Sequence, residues 1–270
     1  MNFKTFLVDI DDKVAHVRIN RPDKANALNH QAWSELKEIF ETLDETPEVR
    51  AIILSGEGKH FCAGIDLAYL MEQNQENQHP DEGRKREKFR RHVLWLQSTI
   101  TAIENCRKPV LAAIDNGCIG AGVDIVTACD MRYGTDNCYF SVREIDMAIV
   151  ADLGTLQRLP RIVSQGVARE MAFTGRRVNA KEALSYGLLN QTFPEREEML
   201  TQVKALAKMI ASKSPLTMRG TKEVMNYSRD HGVEEGLRYT ATWNSGMLFS
   251  EDLYKAVQAA MTKKPTEYRD

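Results

Sequence analysis

The sequence predicts an α/β fold in which strands and helices alternate as far as Pro194, followed by a region with no further strand signal. Two short apolar runs, Val49 to Leu54 and Val110 to Ile114, are typical of strands buried in a sheet. A glycine-containing turn follows each of them. With 270 residues the chain can bury a full core, so one large domain with an appendage is expected rather than two independent domains.

Local signals predict the other elements of the first half. Val14 to Ile19 alternates between apolar and polar residues, as a half-buried strand does. Asn29 can cap a helix whose apolar residues recur at helical spacing. Apolar positions from Val93 to Ile103 indicate another helix, which must end before Pro109.

The segment from Glu72 to Arg91 has a biased composition, rich in Gln and Asn and then basic from Arg84 onward. A solvated loop that runs into the exposed start of a helix accounts for this composition. The alternative is that some of these cations meet phosphates of a ligand.

Capping residues organise the second half. Ser164 and Asn179 are candidate helix N-caps, and Glu182 completes a capping box with Asn179. Leu188 to Phe193 resembles a last short strand. Beyond it two amphipathic helices are expected, with the second capped by Ser250, and their apolar faces could pack against a neighbouring subunit.

Composition excludes several classes of protein. A net charge of -2 argues against nucleic acid or an anionic membrane as the main partner. The five cysteines show neither a CxxC pair nor zinc spacing, so reduced thiols in the core are expected. No apolar window is long enough to span a membrane. Without a signal peptide or a peroxisomal C-terminal address, the protein is expected to be soluble and cytoplasmic.

Three acids, Asp124, Glu144 and Asp152, lie in otherwise apolar sequence. Carboxylates seldom occupy such sequence without a partner or a chemical role. Each has a structural alternative: Asp124 could complement a helix dipole, Glu144 could pair with Arg143 or Arg132, and Asp152 could cap a helix. The three alternatives together leave the apolar surroundings unexplained, so proton transfer is the preferred hypothesis.

Two glycine turns accompany these acids, Ala63-Gly64-Ile65 and Gly120-Ala121-Gly122. Each follows a buried strand and precedes a possible helix, where backbone N–H groups have no partner within the helix. Two such groups that converge form a donor pair for a developing oxyanion. The acids are then expected to act beside it.

Four motifs together resemble the crotonase (enoyl-CoA hydratase/isomerase) superfamily: Asn26-Ala27-Leu28, Phe61 to Leu67, Gly117 to Asp130 and Gly154 to Pro160. The resemblance implies a spiral of repeated ββα units over residues 1–194. It also implies a helical trimerisation region over residues 195–270, commonly within a hexamer built of two trimers.

The resemblance also implies the site. The oxyanion donors would be the N–H groups of Ile65 and Ala121. The substrate would be an acyl-CoA thioester, so coenzyme A enters as part of the substrate, with no separate cofactor or metal. Residues expected to contact it are Ala25, Ala27, Ala63, Gly64, Asp66 and Leu67.

The set of Asp124, Glu144 and Asp152 is similar to that of the dienoyl-CoA isomerase subfamily. That reaction moves two conjugated double bonds towards the thioester, so a proton leaves C2 and another arrives at C6. Because one carboxyl group cannot easily reach both carbons, two acids are expected. The hypothesis assigns Glu144 to C2 and Asp152 to C6 of an oxyanion-stabilised dienolate, with Asp124 tuning or positioning one of them.

Two alternatives remain open at this point. The first is hydration of an enoyl-CoA, or another acyl-CoA reaction of the family. The second is a non-catalytic RNA-binding homologue, which only the basic cluster from Arg84 to Arg91 supports.

Overall fold

The computed structural model describes residues 3–76 and 78–270. Its strands are β1 (Phe6–Asp11), β2 (Val14–Ile19), β3 (Ala51–Gly56), β4 (Val110–Ile114), β5 (Gly117–Ile119), β6 (Met131–Thr135), β7 (Tyr139–Ser141), β8 (Val178–Asn179) and β9 (Gln191–Phe193). Its α-helices are α1 (His30–Glu45), α2 (Leu67–Glu76), α3 (Glu82–Asn105), α4 (Ala121–Ala128), α5 (Thr155–Arg158), α6 (Gln165–Thr174), α7 (Ala180–Ser185), α8 (Arg196–Ala211), α9 (Pro215–Asp230), α10 (Val233–Met247) and α11 (Glu251–Thr262).

The strands form two sheets. The larger has the order β1-β2-β3-β4-β6-β9, in which only β1 and β2 pair antiparallel. The smaller has the order β5-β7-β8, and bridges from Leu28 to Ile65 and from Cys62 to Cys118 extend it towards the start of the chain. Successive turns of the chain therefore add one strand to the large sheet and one short segment to the small one. This confirms the predicted crotonase-like spiral.

Apolar side chains bury both faces of the large sheet. On one face α1, α3 and α4 enclose the main core, which contains Trp33, Phe40 and Ile100. On the other face Met199 and Val203 of α8 cover the strands. Burying one such side chain stabilises the fold by roughly 1.5–3 kcal/mol. The domain boundary at residue 194 stays a prediction, and α8 beyond it packs on the sheet as the spiral's own helices do.

Most local predictions agree with the structure. The predicted strands Val14 to Ile19 and Val110 to Ile114 have the predicted bounds. Four predicted caps are confirmed because each side chain accepts a hydrogen bond from its own helix, namely Asn29, Ser164, Asn179 and Ser250. The five cysteines are buried free thiols, as predicted. Within the described ranges, no helix is long and apolar enough to cross a membrane.

Candidate active site

The two glycine turns meet in space. Gly64 and Gly120 have φ angles of 95° and 54°, in the region that favours glycine. A Cβ atom placed on Gly120 would lie 3.7 Å from the Gly64 Cα, and one on Gly64 would lie 3.5 Å from the Ala121 nitrogen. The N–H groups of Ile65 and Ala121 donate to no residue that the structure describes. The turns therefore hold two unpaired donors side by side, as predicted from the sequence.

A cavity of about 760 Å³ opens at these donors. Both turns contribute to its wall, and the rest comes from α2, α3 and the segment around residues 143–153. Much of the lining is apolar, including Leu70, Met71, Phe89, Val93, Leu96, Ile149 and Leu153. The site can therefore hold an extended apolar group that begins at the donor pair.

Glu144 lies on the cavity wall close to the second donor. It belongs to a 3₁₀ turn over Arg143–Met147, and its Oε1 is 3.4 Å from the position of a Cβ on Gly120. Its Oε2 is buried without a hydrogen-bond partner. Desolvation raises the pKa of Glu144, and the charge of Asp152 raises it further. A carboxylate left unpaired beside an apolar cavity is suited to accept a proton.

The ion pair considered for Glu144 is not formed. Arg143 pairs instead with Asp146, at 3.1 Å between Nε and Oδ2. Arg132 is buried and donates to the carbonyl oxygens of Val126, Cys129 and Leu188. Neither arginine neutralises the carboxylate on the cavity wall.

Asp152 lines the same cavity. Its backbone is held by Gln97, whose Nε2 donates to the Asp152 carbonyl oxygen at 2.6 Å. The side chain is exposed on one side, but desolvation against the cavity wall still raises its pKa. A carboxyl group with a raised pKa is better able to hold a proton near neutral pH.

Asp124 takes the capping role that was considered for Asp152. It is only 1% exposed, and its Oδ1 accepts from the Thr155 N–H at 2.6 Å and from the Thr155 hydroxyl at 2.7 Å. These bonds hold the first residue of α5, three residues after Asp152. Burial, followed by the charge of Glu144, raises the pKa of Asp124 to about 7. Asp124 does not line the cavity and lies behind Glu144 and Asp152, which do.

Asp124→Asn is expected to flatten the pH dependence of stability. Between about pH 4 and 7 folded Asp124 keeps a proton that the unfolded chain releases, so the free energy of unfolding falls as pH rises through this window. Asparagine can still accept both bonds from Thr155 but cannot ionise. Denaturant unfolding at pH 5 and pH 8, at one protein concentration, should show the parent losing up to about 2.6 kcal/mol more than the variant. Equal losses in parent and variant would contradict the assigned pKa.

The residues predicted to contact the substrate lie in one layer, but only part of it faces the cavity. Ala63, Gly64 and Leu67 line the wall. Ala25 lies behind them, with its carbonyl oxygen accepting from the Ala63 N–H at 3.0 Å.

The rest of that layer is held by one arginine. Arg21 pairs with Asp66 at 3.0 Å and also donates to the Ala27 carbonyl oxygen. Asp66 and Ala27 are thus fixed beside the wall, and neither is among the residues that line it.

Sequence reasoning missed the wall contributed by α2 and α3. The segment from Glu72 to Arg91 was predicted to be a solvated loop that runs into the exposed start of a helix, yet α3 begins at Glu82 and its first turns line the cavity. The spacing of Phe89, Val93 and Leu96 on one helical face was the available signal. Lys85 pairs with Glu82 at 3.6 Å, so this cation is partly neutralised at the cavity rim.

The residues that the structure describes include no group of three or more His, Cys, Asp or Glu side chains arranged to hold a metal ion.

Comparison with known proteins identifies the family. Residues 9–270 match the family model described as enoyl-CoA hydratase/isomerase. A peroxisomal Delta(3,5)-Delta(2,4)-dienoyl-CoA isomerase of Arabidopsis thaliana is 49% identical over 96% of this chain and 93% of its own length. The mitochondrial protein of that name from Mus musculus is 44% identical over 98% and 82%. A crystal structure of enoyl-CoA hydratase from Bacillus anthracis has a TM-score of 0.89 at 29% identity, over 98% of this chain and 99% of that one.

These relatives correct one expectation. The cytoplasmic location predicted from the sequence is contradicted, because the similar proteins are named as peroxisomal in Arabidopsis thaliana and mitochondrial in Mus musculus. The prediction relied on the lack of a recognisable address at either end of the chain, and that lack does not specify a compartment.

Proposed function

The chain belongs to the enoyl-CoA hydratase/isomerase family, and from this premise we propose that it is an isomerase that converts 3,5-dienoyl-CoA to 2,4-dienoyl-CoA. One observation carries the proposal: Glu144 and Asp152 share an apolar cavity with the unpaired amides of Ile65 and Ala121. The reaction needs one oxyanion site and two proton-transfer groups. The cavity offers all three.

The thioester carbonyl oxygen binds between the N–H groups of Ile65 and Ala121. Removal of a proton from C2 moves charge onto that oxygen, and the two donors stabilise the conjugated enolate. Donors fixed by the backbone require no reorganisation as the charge develops.

Glu144 is assigned as the base at C2. Carbon C2 is bonded to the carbonyl carbon, so its base must lie beside the donor pair, where Glu144 Oε1 lies close to Gly120. Carbon C6 is four bonds further along the acyl chain. Asp152, the second acid assigned to this cavity, is assigned as the acid that delivers a proton there. The raised pKa of Asp152 favours the protonated form that this step requires.

Asp124 is assigned a positioning role. Its bonds to Thr155 anchor α5 directly after the Asp152-Leu153-Gly154 segment. In a hydratase two carboxylates must hold one water molecule, whereas Asp124 Oδ1 is occupied by Thr155. This arrangement favours isomerisation over hydration.

One layer of residues is proposed to hold the coenzyme A part of the substrate. It consists of Ala25, Ala27, Ala63, Gly64, Asp66 and Leu67. Ala63, Gly64 and Leu67 supply the wall nearest the donor pair, and the Arg21–Asp66 ion pair stiffens the layer behind it.

The purified protein should convert a 3,5-dienoyl-CoA into the 2,4 isomer, whose diene is conjugated with the thioester and is followed by ultraviolet absorbance. Crotonyl-CoA, assayed for water addition under the same conditions, should react far more slowly. Rapid hydration with no isomerisation would overturn the assignment.

Gly64→Ala tests the donor pair. The new Cβ would lie 3.5 Å from the Ala121 nitrogen and 3.1 Å from the Ile119 carbonyl oxygen, at a φ that strains alanine. Because it displaces one donor or blocks the oxygen, kcat should fall by about 10²–10³-fold.

Gly166→Ala is the matched control, because a Cβ there meets no atom within 4 Å. It should retain the parent kcat. If Gly64→Ala kept the parent kcat, the oxyanion site could not lie at this position.

We propose that the protein assembles into homotrimers, or hexamers of two trimers, through its C-terminal helices. Large apolar side chains of this region are exposed in the single chain, including Val233 at 82%, Phe249 at 77% and Met261 at 81%. An exposed apolar surface of this kind is characteristic of a subunit interface. Light scattering after size-exclusion chromatography should give a mass three or six times that of the chain, and a monomer would contradict the proposal.

A further inference from the structure

Asp152 lies on a wall shared by two cavities. One is the cavity that contains the donor pair. The other is a polar cleft of about 360 Å³ behind it, and Asp152 and Leu153 line both. The cleft also receives Gln157 and Arg158 of α5 and Glu104 of α3.

The three arginines of the cleft pair with its two other acids, Glu104 and Asp230, and Arg229 pairs with both. Arg158 pairs with Glu104 at 2.7 Å, and Arg161 pairs with Asp230 at 2.7 Å. The Asp152 carboxylate forms an ion pair with none of the described residues. It therefore borders a polar, water-accessible space in which no cation holds it permanently ionised.

After each turnover both acids must return to their starting protonation states. This requirement rests on the proposed function. Each turnover breaks a C–H bond at C2, with the proton going to Glu144, and forms one at C6 with the proton of Asp152. The enzyme then holds a protonated Glu144 and an ionised Asp152, the reverse of its starting state. While the acyl chain lies between them, neither acid can pass a proton directly to the other.

We propose that Asp152 exchanges its proton with bulk water through the polar cleft while acyl-CoA still occupies the cavity. The hydrogen delivered to C6 is then a solvent hydrogen.

The Glu144→Gln variant isolates this exchange. Without a base at C2 the variant cannot isomerise, but ionised Asp152 can still take a proton from C6 of bound 2,4-dienoyl-CoA to form the same enolate. In D₂O the proton leaves through the cleft, and a deuteron returns to C6. The recovered 2,4-dienoyl-CoA should contain deuterium at C6 and none at C2, by mass spectrometry and NMR.

A second substitution tests the route. Gln157→Trp, added to the Glu144→Gln variant, fills the cleft from α5. It should slow deuterium entry at C6 at least tenfold. Leu156→Trp is the matched control on the same helix, because Leu156 lines neither cavity, and it should leave the rate unchanged. Binding of 2,4-dienoyl-CoA by each variant verifies that the cavity is intact.

Two results would overturn the proposal: no deuterium at C6 in Glu144→Gln, or equal rates in the two tryptophan variants. The first needs only the single variant, so it holds even if the tryptophan variants fold poorly. The parent enzyme is assayed in the same buffer. Failure of the parent to isomerise would refute the proposed function. If the parent isomerises but Glu144→Gln takes up no deuterium at C6, only the cleft route is refuted.

Discussion

Asp152→Asn is expected to isomerise 3,5-dienoyl-CoA about 10²–10⁴-fold more slowly than the parent, because asparagine cannot deliver a proton to C6. Binding should change little, since the amide matches the carboxyl group in size and the Gln97 bond is made to the Asp152 backbone. Steady-state kinetics should therefore show the loss in kcat, with KM close to that of the parent.

Isotope exchange distinguishes the loss of the acid at C6 from damage to the rest of the active site. Glu144 is intact in Asp152→Asn, so the variant in D₂O should still exchange hydrogen at C2 of 3,5-dienoyl-CoA without forming the 2,4 isomer. Asp136→Asn is the control, because Asp136 is exposed in the turn between β6 and β7 and does not line the cavity. Isomerisation by Asp152→Asn at nearly the parent rate would show that the two-acid mechanism is wrong.

Glu144→Gln is expected to lose both isomerisation and exchange at C2. Glu144 Oε1 lies beside the Gly120 turn, and glutamine at this position cannot act as a base. Activity should fall by about 10²–10⁴-fold. The measurement is deuterium content at C2 of recovered 3,5-dienoyl-CoA, together with the ultraviolet assay.

The two variants should thus fail in complementary ways. Asp152→Asn keeps exchange at C2, and Glu144→Gln keeps exchange at C6. If Glu144→Gln exchanged C2 at the parent rate, the assignment of this residue as the base would be withdrawn.

Regular elements with strong local signals were predictable from the sequence. The strand from Val110 to Ile114 is apolar throughout, and Asn29 caps its helix through its own side chain. In contrast, β1 was missed because its outward-facing residues include acids that mask the alternation. β5, β7 and β8 have only two or three residues each, too few for any periodicity.

The site was predictable in its composition but not in its connections. Sequence motifs indicated the two glycine turns and the three acids, yet nothing local shows that Asp124 bonds to Thr155, 31 residues later. That contact exists because the spiral brings α4 against α5. The wall from α2 and α3 was missed for a related reason, since charges around Phe89 hid its apolar face.

The packing of α8 determines how far the C-terminal region can be trimmed. A fragment ending at Phe193 would leave Ile53, Leu111 and other outer-face residues of the sheet exposed to water. A fragment ending at Ala211 would retain their cover and lose only the last three helices. Anyone exchanging this region between homologues, or preparing a shortened version for crystallisation, should join the pieces after residue 211.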